Sequence, residues 1–292
     1  MGESNSLHYI VLRKILLLLL KQQRQYGSFL VTAEDLIHPP IFINKTSTLY
    51  DAAEKILMHN ISGIIVNSRE KYDIISQKDI AGALISEKQN ISSIPVSQKM
   101  QELVMVDQYA PISNCAALML SKRTNALGVK DHSGVKGIMT KHDLVKFFQQ
   151  NIVDETKLAD IMSVGSFFVP QTTTLYNALT KMLDNQISRL LVKDENGKSI
   201  GIVTYKSFLR HTIYNSNRYD DTVFATGFGK TCTVGEIMRK QLISISIQTS
   251  LAKLAKILID YRIHGVAVTQ NQKIVGFVTE KDIVRQLAKI QV

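Results

Sequence analysis

The 292-residue chain has no tryptophan, only two cysteines and only five prolines. Cys115 and Cys232 stand far apart and in no metal-ligand spacing. That excludes a disulfide scaffold and leads us to expect a reducing, cytoplasmic setting. With no tryptophan and no block of five like charges, the chain lacks the interleaved aromatics and concentrated basic stripe of a typical nucleic-acid binder. Long apolar runs are also scarce. The one conspicuous run, ILLLLL at 15–20, is preceded by Arg13 and Lys14 and followed by Lys21. It is well short of the roughly 20 residues a spanning helix needs, and no small-residue cleavage pattern follows it. We therefore expect no transmembrane span. Residues 1–29 read as an N-terminal helix or extension packed on the first domain, with an interfacial anchor as the alternative.

What the chain does have is 45% hydrophobic and 21% charged residues, enough to fill sizeable cores. The net charge of +10 is spread out, although Lys230 onward carries ten Lys/Arg against four Asp/Glu. Such a bias permits an anionic ligand or partner without naming one. Seven histidines are scattered singly, so no metal site is expected.

The dominant feature is repetition. The phrase GFVTEKD (276–282) recurs as GIMTKHD (137–143), more loosely as DIISQKD (73–79), and as GIVTYKS (201–207), where serine replaces the final aspartate. Its Ser/Thr falls at 76, 140, 204 and 279, at intervals of 64, 64 and 75 residues. An opening (EDLI 34–37, SQKM 97–100, ADIM 159–162, GEIM 235–238) ends 39 to 42 residues before each of these positions. Between opening and phrase lie a short apolar stretch, a segment with apolar residues at three- and four-residue intervals, and an apolar strand such as GIIV (63–66) or GVAV (265–268). This pattern predicts β-α-β-β-α in every copy. The near-continuous apolar strands predict burial on both faces. One face would be covered by the repeat's own helices and the other by a neighbouring repeat, because a 60-residue unit buries little core alone.

This order of opening, helix, hhhV strand and G-h-h-[ST]-x-x-D strongly resembles the CBS (cystathionine β-synthase) domain. The resemblance implies an α+β fold of four β-α-β-β-α repeats, paired first with second and third with fourth into two pseudo-two-fold Bateman modules. The divisions expected are repeat 1 at 30–89, repeat 2 at 94–150, repeat 3 at 157–213, an inserted linker at 214–230 and repeat 4 at 231–292. In that family, paired repeats bind adenosine-containing ligands (AMP, ADP, ATP, S-adenosylmethionine or dinucleotides) in clefts between them, and they regulate a partner without catalysing a reaction. For this chain the resemblance implies an adenine-nucleotide sensor, a homodimer and an unidentified regulated protein.

The phrase has a plain structural reading. Ser/Thr at a helix N-cap with an acid three residues on makes a capping box, worth about 1 kcal/mol, and needs no ligand. The glycines Gly137, Gly201 and Gly276 read as places where another backbone approaches. The same geometry also suits a ligand: a helix N-terminus favours phosphate, and an ionised aspartate only accepts hydrogen bonds, which fits the paired hydroxyls of a ribose. By resemblance these ribose and phosphate roles fall on Thr140 and Asp143, Thr279 and Asp282, Ser76 and Asp79, and Thr204. The turn before each hhhV strand is the family's adenine-side contact, which points to Ser62, Asn125, Ser188, Arg189 and His264. Repeat 1 departs from the pattern with Asp73 where glycine is usual. Ser207 cannot supply a carboxylate, so unequal sites are expected, the Asp282 site being the strongest of the second module and the Ser207 site weak or empty.

Other motifs carry less. GKT at 229–231 is similar to the end of a P-loop, but Phe224 stands where the first glycine belongs, so a P-loop is excluded. No Ser/His/Asp or Cys/His set stands out, and catalysis has no support in the sequence. Two alternatives to a sensor remain open: a ligand-free oligomerisation scaffold, and a basic regulator that binds nucleic acid.

Overall fold

The computed structural model describes residues 31–67, 72–165, 167–215 and 228–290. The ILLLLL segment and most of the expected 214–230 insert lie outside these residues.

Each repeat forms the expected five elements. The first comprises β1 (Phe42–Asn44), α1 (Leu49–Met58), β2 (Gly63–Asn67), β3 (Tyr72–Ser76) and α2 (Gln77–Ser86). In the second they are β4 (Met105–Asp107), α3 (Ile112–Ser121), β5 (Ala126–Asp131), β6 (Gly134–Thr140) and α4 (Lys141–Asn151). The third contributes β7 (Phe168–Pro170), α5 (Leu175–Asp184), β8 (Arg189–Lys193), β9 (Ser199–Thr204) and α6 (Tyr205–Asn215). The fourth contributes β10 (Ser244–Ser246), α7 (Leu251–Asp260), β11 (Gly265–Gln270), β12 (Lys273–Thr279) and α8 (Glu280–Leu287). In every copy the first strand runs parallel to the second and the second antiparallel to the third.

Local chemistry sets the helix boundaries. Thr48, Thr174 and Ser250 accept hydrogen bonds from the third-residue amides of α1, α5 and α7, satisfying donors that a helix start leaves orphaned. The same helices face inward with residues such as Leu175, Leu179 and Met182, all fully buried. Past the first helix of each repeat, one residue turns into the left-handed region: Asn60, Arg123, Gln186 and Arg262, with φ between 51° and 55°. That turn returns the chain into the hhhV strand.

Two kinds of packing join the repeats. Sheet faces of repeats 1 and 2 meet through Ile65, Leu103, Ala126 and Ile138. Those of repeats 3 and 4 meet through Leu191, Ala267 and Phe277. Helices pack across the two pairs: α1 and α2 against α5 and α6, and α3 and α4 against α7 and α8. The larger cores therefore combine repeats 1 and 3, and repeats 2 and 4. The sequence reading anticipated the sheet pairing and missed the helix pairing.

The openings change places within each pair. Residues 32–38 bridge to Pro111 and Ile138 of repeat 2, while Pro95 bridges to Thr48 of repeat 1. Likewise Lys157 and Ser163 bridge to Ser250 and Phe277, and Thr233 and Arg239 to Thr174 and Ile202. These crossings explain the glycines of the phrase. A Cβ on Gly137 would lie 2.8 Å from Ile37 Cβ and 3.0 Å from the His38 carbonyl, and Gly201 and Gly276 meet Met238 and Met162 in the same way. In repeat 1, where Asp73 replaces the glycine, the incoming Gln101–Glu102 forms a regular two-residue ladder with Asp73 and Ile74. Gly137→Ala is expected to destabilise the protein by about 1–3 kcal/mol, the usual cost of overpacking, read as a lower urea midpoint at unchanged slope.

Candidate functional site

The phrase ends the third strand of each repeat and begins its second helix, so its Ser/Thr is an N-cap. The Thr140 amide and hydroxyl donate to Asp143 Oδ2 at 2.9 and 2.6 Å. The Ser76 pair donates to Asp79 Oδ2 at 2.9 and 2.5 Å, and the Thr279 pair to Asp282 Oδ2 at 2.8 and 3.1 Å. In repeat 3 the Thr204 amide donates to Ser207 Oγ at 3.2 Å. Serine thus keeps the helix start and, as expected, brings no carboxylate.

The capping boxes are real, but they are not all that the phrase does. All four phrases, together with the four turns before the hhhV strands, surround one central cavity of about 2420 Å³. Thr140, Asp143, Thr279, Asp282, Ser76, Asp79 and Thr204 line it, as do Ser62, Asn125, Ser188, Arg189 and His264. Twelve Lys and Arg side chains line it against seven Asp and Glu, which makes the interior attractive to an anion.

The first residue of each phrase helix ties phrase to turn. Gln77 Nε2 donates to the Ile61 carbonyl at 2.7 Å, Lys141 Nζ to Asn125 Oδ1 at 3.0 Å, and the Tyr205 hydroxyl to the Ile187 carbonyl at 3.1 Å. In repeat 4 Glu280 Oε1 takes His264 Nδ1 at 3.0 Å. Two contact regions separated in sequence are thereby held at one place in every copy. The sequence reading passed over these residues, because each occupies a position that the repeat leaves unspecified and only their common reach marks them.

The three aspartates are not equivalent. Oδ1 of Asp79 and of Asp143 accepts no protein hydrogen bond among the described residues, so it is free for a ligand hydroxyl. His38 Nε2, carried in by the exchanged opening, lies 3.5 Å from Asp143 Oδ2. Burial alone would raise the Asp143 carboxyl, but the bonds from His38 and Thr140 prevail and hold it below the usual carboxylate range. The bond to Asp143 correspondingly raises the His38 imidazole above its ordinary value, against the effect of burial. Asp282 is 3% exposed and spends its second oxygen on Arg285 at 2.7 Å.

Arg189 reaches from repeat 3 into the cleft of repeat 4. Its guanidinium sits 5.3 Å from the Phe277 ring centroid and against Gly265. Burial lowers it to about 10, opposed by Glu280 and Asp282, so it remains a cation at neutral pH. Lys141 is buried, which together with Lys281 lowers its ammonium to about 8. Next to it His142 Nδ1 meets Glu280 Oε1 at 2.8 Å, linking repeats 2 and 4 across the cavity.

Comparison with known proteins agrees with this architecture. The CBS domain family model matches residues 16–86, 91–150, 158–213 and 234–289. Protein MJ1404 of Methanocaldococcus jannaschii is 25% identical over 231 residues, which is 77% of this chain and 53% of that protein. Protein MJ1225 of the same organism is 24% identical over 224 residues, 75% of this chain and 77% of that one. Its crystal structure, proposed there to be of an archaeal homolog of g-AMPK, superposes with a TM-score of 0.78 at 20% identity, covering 88% of this chain and 100% of that chain. A conserved protein from Pyrococcus horikoshii superposes with a TM-score of 0.60 at 20% identity and the same coverage. The chain spans about half the length of MJ1404 and of MJ1232, another relative from M. jannaschii. At such identities the structural likeness is a likeness of fold.

Proposed function

The chain belongs to the CBS-domain family, and from that premise we propose that it is a regulatory adenine-nucleotide sensor. Paired CBS domains are generally ligand-sensing regulatory modules. Among the described residues no helix is long and apolar enough to cross a membrane. The observation that carries the proposal is the convergence on one cation-rich cavity of three [ST]-x-x-D caps, two of them with an unspent carboxylate oxygen.

In this reading the phosphates of AMP, ADP or ATP lie among Arg189, Lys141 and their neighbours, where helix N-termini add their own positive ends. The ribose hydroxyls donate to the free oxygen of Asp79 or Asp143, and the base lies against the turns at Ser62 and Asn125. At the second cleft a ribose has to displace Arg285 from Asp282, which its 43% exposed side chain permits. The Ser207 position offers no such acceptor and stays weak. S-adenosylmethionine shares the adenosine but not the phosphates, and is the main competing ligand. The protein acts by changing the relative setting of its repeats, in a homodimer or toward a protein it regulates in the cytoplasm, and performs no chemistry itself. The ligand must then bind the two settings unequally.

The test is unfolding in the presence of AMP, ADP, ATP and S-adenosylmethionine. A ligand at a hundred times its dissociation constant adds about 2.7 kcal/mol to stability. A shift with at least one phosphorylated ligand is expected. An unmoved transition with all four leaves a ligand-free scaffold as the reading.

A further inference from the structure

The inward side of repeats 2 and 4 brings together three side chains of types that ligate metals. His142 is the second residue of α4, Glu280 the first residue of α8, and His264 lies in the turn before β11. His142 Nδ1 and His264 Nδ1 both aim at Glu280 Oε1, at 2.8 and 3.0 Å. The three donor atoms all lie within 4.8 Å of one another, and the imidazole rings meet edge to face, 5.9 Å between centroids. All three residues line the central cavity.

We propose that His142, His264 and Glu280 form a binding site for a divalent transition-metal ion of the zinc or cobalt class. Two imidazoles and one carboxylate are a donor set suited to such ions. Metal–nitrogen and metal–oxygen bonds of about 2.0–2.2 Å require the donors to open slightly from their present hydrogen-bonding distances. The His264 side chain, 59% exposed, has the freedom to do this. Three protein ligands leave a fourth position, which faces the cavity. Lys141 and Arg189 both act on the same carboxylate and oppose a bare cation. An anion in the fourth position offsets them, so the bound ion favours an anionic ligand there. Because the donors come from repeats 2 and 4, the ion also fastens one module to the other. This site does not depend on nucleotide binding.

The experiment is titration of the full chain with Co²⁺ in the absence of nucleotide, followed by visible absorption, with competition by Zn²⁺. One equivalent per chain with the d–d bands of a four- or five-coordinate ion, erased by Zn²⁺, is expected. His142→Ala and His264→Ala should each weaken binding by at least about tenfold, the lower end of what even an outer-sphere change does. His264 is largely exposed, so its variant serves if substitution at buried Glu280 impairs folding. Octahedral, non-saturating cobalt spectra, or binding unchanged in both histidine variants, would overturn the assignment.

Discussion

Asp143→Ala is expected to weaken nucleotide binding by about tenfold to a hundredfold. One hydrogen bond to a charged group contributes about 1.5–3 kcal/mol, and each 1.4 kcal/mol is tenfold in affinity. The substitution also removes a capping box and the partner of His38, so a loss of about 1 kcal/mol in stability accompanies it. The two effects are separable inside the same protein. Asp51 forms the same box with Thr48 at the start of α1 but does not line the cavity. Asp51→Ala should therefore cost similar stability and leave affinity unchanged. Calorimetric titration of both variants decides the matter: equal losses of affinity would reduce Asp143 to a helix cap.

Phe148→Ala should have the largest effect on stability, about 3–5 kcal/mol. Phe148 is fully buried in α4 and shares its core with Leu254 and Leu258 of repeat 4. A Bateman module that folded alone would lose only its own half of the molecule. Cross-packing of repeats 2 and 4 instead predicts a single cooperative transition with a lowered urea midpoint. Two separated transitions, one of them unmoved, would contradict it.

Much of this architecture could be read directly from residues. The four phrases gave the repeat number, and the apolar periodicity predicted the helix between opening and phrase that α1, α3, α5 and α7 supply. Gly137, Gly201 and Gly276 signalled a close backbone approach, which the openings supply. Which opening approaches which glycine was hidden, because repeat order suggests the repeat's own opening, whereas the opening of the partner repeat is the one that arrives. The helix pairing was hidden for a related reason. An apolar stripe at three- and four-residue spacing shows that a face is buried and does not say against what.

Within the site, the caps and turns were visible because they recur. His142 and Glu280 were not, since 138 residues separate them and neither position is repeated in kind. Lys141 illustrates the same limit: a lysine after a threonine reads as solvent-facing, yet the turn at Asn125 draws it inside. Asp282 refines the expectation of unequal sites. Its carboxylate is present where Ser207 has none, but Arg285 already holds its second oxygen, which places the readier acceptors at Asp79 and Asp143.

Photolabelling with 8-azido-ATP, followed by peptide mapping, reports both binding and place. Label is expected on the turns at 61–63, 124–126, 187–189 or 263–265, suppressed by unlabelled ATP and sharply reduced in Asp143→Ala when it falls in the first module. Label scattered over the outer surface, or label that unlabelled ATP fails to displace, would contradict a nucleotide site in the central cavity.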